Sequence, residues 1–281
     1  MKKFTEEYHE FLKTHSYKTV TVSGRDFQVI DSGSGDQTIV FLNGVDMHQT
    51  WIKYMSALEK DHRVVMMKYP TDIYTNDKMA DALHELFAKL GISSPILFGI
   101  SDGGILGQLY AKKYKAGGLI LVSTLTVDSA CVDSMRKEKY LLPLMKLYVK
   151  TTKFEKMKPR LISAVKKHFR NETEEEKAYA VSFLECVGED ESYKYSYLRA
   201  VIATGDICNL EKFTKSDFSY LKGKVLVLIP ENDMFEKADS QKLADIFTDP
   251  VVKETYGGHL GMLMRPDLYL PDIEEFLKDN F

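Results

Sequence analysis

Cysteine is scarce in this chain and its number is odd: Cys131, Cys186 and Cys208 among 281 residues. Their spacing matches no metal-ligand pattern and leaves one thiol over from any disulfide framework. That fits a reducing cytoplasm, with the three acting as small buried hydrophobes. Long apolar runs are missing as well. No stretch approaches the ~18 residues that a membrane-spanning helix needs, so integral membrane association is not expected. The opening segment MKKFTEEYHEFLKTHS has two lysines but no apolar run behind them, and Glu6, Glu7 and Glu10 interrupt it. An amphipathic helix is expected there, not a secretory signal. The net charge is only −3, which gives no global reason to expect a nucleic-acid partner. Repeats and low-complexity tracts are absent. The balance of 44% hydrophobic and 28% charged residues is that of an ordinary globular protein.

Within that ordinary composition the pattern is regular. YKTVTVSG and RDFQVIDSG alternate at period two around Gly24 and predict an opening hairpin. QTIVFLNG, RVVMMKYP, PILFGIS and GLILVST follow as short, nearly continuous apolar runs, expected of strands covered on both faces. Helical patterns lie between them. After an interruption the alternation resumes with KVLVLIPEND, SQKLADIF, VVKETYGG and LYLPDIEEFLKD. The order predicts an α/β fold: a mostly parallel, doubly wound sheet. The core comprises 1–127 and 218–281, and 128–217 form an inserted helical cap in which Pro143 begins or kinks a helix.

Charge is segregated along that insertion. Residues 136–170 carry twelve Lys or Arg against two Glu, and 171–191 carry eight acidic residues against one Lys. Solvated faces that partly neutralise each other are the plain reading; a surface that attracts anionic substrates or lipid is the sharper one. Leu141, Leu142, Met145 and Leu147 are the apolar residues expected to line a pocket or to pack between cap and core.

One stretch carries chemistry. Gly99-Ile100-Ser101-Asp102-Gly103 fits Gly-x-Ser-x-Gly and falls between a buried strand and a helix. A serine in so tight a turn is lifted above the carboxyl edge of the sheet, where open α/β sheets bind ligands. The hydroxyl needs a base. Of seven histidines, His9, His15, His62, His84 and His168 have nothing to place them at that edge. His48 follows the exit of the third strand and is a possible substrate contact. His259, in YGGHLGM directly after the last strand, is the best-placed base. Asp233 stands just beyond the strand VLVLIP and is the favoured partner for the histidine, with Asp128 as competitor.

Ser101, Asp233 and His259 occur in the chain order of the α/β-hydrolase superfamily, which this sequence resembles from about 17 to 127 and from about 220 to its end. The resemblance implies an α/β-hydrolase fold, no cofactor and no metal. It also implies an oxyanion hole made by the backbone N–H groups of Val45 and Asp102. The family's usual His-Gly loop here reads Asn43-Gly44, which makes Asn43 a possible substrate contact. KYPTDIYTNDK stands where many relatives carry a glycine-rich loop. The RVVMMKYP ending looks like the branch that includes maspardin and related bacterial proteins.

Two classes of function follow. In the first, a serine hydrolase cleaves a small ester or thioester through an acyl-enzyme, and amide or carbon–carbon bonds are open to the same machinery. In the second, a non-catalytic binding or adaptor protein retains the pocket. Asp102, beside the nucleophile, is either a helix-start acid turned to backbone amides or a contact for a cationic substrate group. A small-molecule partner is expected, while any oligomeric partner stays open.

Overall fold

The computed structural model describes residues 2–167, 169 and 171–281, so His168 lies outside the described residues. All eight expected strands form: β1 (Lys18–Val22), β2 (Arg25–Ser32), β3 (Thr38–Leu42), β4 (Arg63–Lys68), β5 (Ile96–Ile100), β6 (Gly118–Val122), β7 (Val225–Pro230) and β8 (Val251–Thr255). They make one sheet in the order β1-β2-β4-β3-β5-β6-β7-β8. The β1–β2 and β2–β4 pairs are antiparallel, and every pair from β4 onward is parallel.

Helices cover both faces, which is why the central strands read as unbroken apolar runs. α1 (Phe4–Thr14), α2 (Ile52–Leu58), α3 (Asn76–Lys89) and α4 (Asp102–Tyr114) precede the insertion. Between β6 and β7 the described residues form α5 (Ala130–Glu138), α6 (Leu142–Thr151), α7 (Phe154–Lys166), α8 (Glu174–Val187) and α9 (Tyr193–Ile207), and no strand. α10 (Lys237–Asp245), α11 (Gly261–Met264) and α12 (Pro266–Asn280) complete the chain. Pro143 stands in the first turn of α6, where its missing N–H costs nothing.

Successive strand residues point to opposite faces. In β4, Val64 and Met66 enter one core while Val65 and Met67 enter the other. The first core holds Trp51, Phe98 and Tyr269, and it continues into the insertion through Val149, Phe154 and Phe183. α1 is part of that continuity. Its Phe4 meets Phe183 edge-on at 4.9 Å, and the Phe4 N–H donates to Ser182 Oγ at 2.9 Å. The amphipathic N-terminal helix therefore packs on α8 of the insertion. Among the described residues no helix is long and apolar enough to cross a membrane.

Candidate active site

β5 delivers Ser101 to the carboxyl edge of the sheet and α4 begins one residue later. Ser101 has φ 54° and ψ −127°, a conformation that side chains avoid and that costs about 1–3 kcal/mol. The surroundings hold it there. Its N–H donates to the Val122 carbonyl at 3.2 Å, and its own carbonyl accepts from the Gly104 N–H at 3.0 Å. Thr124 Oγ1 donates to the same carbonyl at 2.6 Å. The turn also requires small neighbours: a Cβ on Gly103 would lie 2.3 Å from the Leu42 carbonyl oxygen, and one on Gly104 would lie 2.5 Å from Thr124 Oγ1.

β7 and β8 are parallel neighbours, with Pro230 opposite Thr255, so the loops that leave them lie side by side. Main-chain bonds tie the two loops together: Glu231 N–H to the Thr255 carbonyl at 2.9 Å and Asn232 N–H to the Gly257 carbonyl at 3.0 Å. The result sets His259 Nδ1 2.9 Å from Asp233 Oδ1. Phe235 supports the imidazole edge-on at 5.2 Å between ring centres. Burial opposes ionisation of Asp233, but the hydrogen bond and charge of His259 outweigh it and hold the carboxyl below its ordinary value. Asp128 has a different setting. Its Oδ1 is buried without a partner among the described residues, and Oδ2 lies 4.0 Å from Lys212 Nζ.

Ser101 and His259 line one cavity of about 660 Å³ between the sheet edge and the inserted helices. No hydrogen bond joins the two side chains among the described residues. Such contacts are commonly loose until a substrate is bound. The walls are almost wholly apolar, with Val45, Ile105 and Leu125 from the core and Val132, Leu142 and Leu161 from the insertion. Leu141 and Met145 reach the cavity as expected. Leu147 does not: it is an exposed residue on α6.

The loop after β3 holds the least expected arrangement. Val45 and Asp46 both take left-handed backbone conformations, φ 48° and 56°, which is unusual for any side chain and most of all for a β-branched one. Three contacts hold them. The Tyr193 hydroxyl donates to the Val45 carbonyl at 2.9 Å. Arg199 grips the Asp46 carboxylate with two nitrogens, Nε reaching Oδ2 at 2.5 Å, and the guanidinium is only 2% exposed. Burial alone would lower the Arg199 pKa, but the Asp46 carboxylate outweighs it and raises it. The third contact concerns the oxyanion hole. The Val45 N–H, expected to face a substrate oxygen, donates to Asp102 Oδ1 at 2.8 Å. Burial pushes the Asp102 carboxyl up to about 6, against the opposing pull of that N–H and of Arg199.

Two expected substrate contacts are not brought to the cavity. Asn43 is buried and its amide is spent, donating to the Met67 carbonyl at 2.8 Å and accepting from Trp51 Nε1 at 3.1 Å. It braces the end of β3 against β4 and Trp51. His48 lies under α1, with Nε2 3.4 Å from the Tyr8 hydroxyl. Burial lowers its pKa to about 3, so it stays neutral and packed. His15 stacks on Phe11 and His84 on Tyr114, each at about 4 Å between ring centres.

Arg199, Asp46 and Tyr193 were not singled out by the sequence reading. The one available signal was a lone arginine in the apolar run Leu198-Arg199-Ala200-Val201-Ile202. Its partner is 153 residues away.

Solved structures share this arrangement of strands and helices. An enol-lactonase from Burkholderia xenovorans aligns with a TM-score of 0.72 at 18% identity, over 93% of this chain and 100% of that one. A thermophilic esterase from Thermogutta terrifontis aligns at 0.71 and 18% identity, over 94% and 98% of the two chains. An α/β-hydrolase-fold protein from Chitinophaga pinensis aligns at 0.70 and 14% identity, over 94% and 98%. At such identities the likeness is one of fold. No family model and no curated protein matches the sequence.

Proposed function

The chain carries the α/β-hydrolase fold, and from that premise we propose that it is a serine hydrolase cleaving an ester or thioester with a sizeable apolar group. The observation that carries this reading is the strained Ser101 facing one apolar cavity with a His259 already oriented by Asp233 at 2.9 Å. Ser101 Oγ attacks the carbonyl carbon while its proton passes to His259 Nε2. Asp233 keeps the other proton on Nδ1 and stabilises the imidazolium. The alcohol or thiol leaves with the proton from His259, and water then releases the acid by the same steps in reverse.

The oxyanion is held by the Asp102 N–H at the start of α4 and by the Val45 N–H, which the Asp102 carboxyl yields to the incoming oxygen. A cavity of about 660 Å³ accommodates an acyl or alcohol group of drug-like size. Its apolar walls favour hydrocarbon over charge.

One observation favours the other class, a binding protein on the same fold: the Val45 N–H is occupied by Asp102. A fluorophosphonate probe separates the two. The wild-type protein should label and hydrolyse p-nitrophenyl esters, and Ser101→Ala should lose both, with turnover falling by about 10⁶-fold. Folded wild-type protein that is inert to the probe and to a broad ester panel would assign it to the binding class.

A further inference from the structure

The insertion presents an apolar face to solvent beside the cavity mouth. Tyr140 is 72% exposed, Leu144 64%, Leu147 57% and Met145 45%. Residues three and four apart share one side of a helix, so Leu144 and Leu147 form a ridge along the outside of α6 that Tyr140, in the turn leading into it, extends. The neighbouring residues Leu141 and Met145 line the cavity itself. The apolar surface thus runs from solvent to the chamber that holds Ser101. Isolated exposed leucines are ordinary, but a contiguous apolar patch with a polar rim marks an interaction site.

Between Glu138 and Glu155 the rim is basic. From 139 to 154 the chain carries Lys139, Lys146, Lys150 and Lys153 and no acidic residue. None of these four lysines forms an ion pair among the described residues. Three acids of the stretch that follows are engaged elsewhere: Glu176, Glu189 and Asp190 pair with Arg265, His9 and Lys68 of other elements.

We infer that this face of the insertion is a peripheral docking surface for an anionic lipid layer, into which Tyr140, Leu144 and Leu147 dip while the lysines meet the headgroups. Apolar side chains flanked by lysines on one helix have the chemistry of an interfacial anchor, and a negatively charged leaflet attracts such a cluster. A second copy of this chain is a poorer occupant. Two-fold pairing through the same patch would set lysines against lysines. Docking there places the cavity mouth against the lipid, so an apolar ester can enter without crossing water. That last consequence rests on the hydrolase reading; the docking itself does not.

The test therefore uses Ser101→Ala protein, which cannot consume the lipid. It is sedimented with vesicles of phosphatidylcholine alone and of phosphatidylcholine with phosphatidylserine in equal parts. Partitioning onto the anionic vesicles should exceed that onto neutral ones by at least about tenfold and should fall with added salt, since each lysine near the surface is worth roughly a fivefold change. Lys146→Glu with Lys150→Glu should lower it by more than about tenfold. Leu144→Ser with Leu147→Ser should lower it without changing its salt dependence. These four side chains do not line the cavity, so the same pairs in an active background should leave hydrolysis of a soluble short-chain ester unchanged. Equal partitioning on both vesicle types, or variants that partition like the parent, would overturn the inference. So would a dimer in solution that the same variants dissociate, which would give the face to a second copy.

Discussion

Replacing Asp102 by asparagine should stabilise the protein above pH 6 and leave its stability unchanged below about pH 3. The carboxyl is half-buried beside the nucleophile, and its pKa is raised from 3.8 to about 6. Burial is the main cause; the nearby Asp46 adds to it, while the Val45 N–H and Arg199 oppose it. The unfolded chain releases this proton near 3.8 and the folded chain near 6, so between those values the native state holds more protons. Stability attributable to the group therefore falls as pH rises through that window and levels off above it. The interval corresponds to about 3 kcal/mol. Asparagine has no proton to lose, and its Oδ1 can still accept from the Val45 N–H. The gain at pH 8 should thus approach 3 kcal/mol, or about 5 °C in Tm for a chain of this length. At pH 4 the gain should shrink to about 0.5 kcal/mol, or about 1 °C. Other titrating groups are common to both, so the difference in Tm isolates Asp102. Thermal melts of wild type and Asp102→Asn across pH 4 to 8 measure it directly. A difference that is independent of pH, or a variant less stable at pH 8, would falsify the account of a carboxylate held ionised at a cost.

Arg199→Ala should cost about 3–5 kcal/mol in urea unfolding, because it leaves the Asp46 carboxylate buried alone. Adding Asp46→Asn should recover much of that loss, and a single variant costing under about 1 kcal/mol would mean that the pair is not a brace. Gly103→Ala should cost about 3 kcal/mol or prevent folding, since the new methyl would meet main chain at 2.3 Å. Gly107→Ala, four residues along the same helix, would meet only side chains, Leu42 at 3.3 Å and Leu119 and Leu97 at 3.9 Å, and should stay within about 1 kcal/mol of wild type. Similar unfolding midpoints for the two glycine variants would refute the packing argument.

The sheet was legible in the chain because its signals are local. A strand covered on both faces must be apolar along its length, and β3 to β7 could be found from that requirement alone. Pro143 could be placed at a helix start because a proline lacks the N–H that a helix interior uses. Ser101 was equally visible: its small neighbours are needed within five residues of it, where β5 gives way to α4. Asp233 and His259 could be nominated from strand ends, since a parallel sheet brings the ends of neighbouring strands together.

Side-chain partners were another matter. Asn43 and His48 stand at the right exit loop, yet packing turns both away from the cavity, and nothing in their own segment says so. Leu147 repeats the apolar character of Leu142, but its place on α6 faces it outward. The Val45 N–H was expected to be free, and only the folded chain brings the Asp102 carboxyl, 57 residues on, within 2.8 Å of it. Arg199 reads as one charge in a helix until folding buries it on Asp46. Backbone pattern is written in neighbours along the chain. Which polar atoms meet in the interior depends on distances that the sequence does not order.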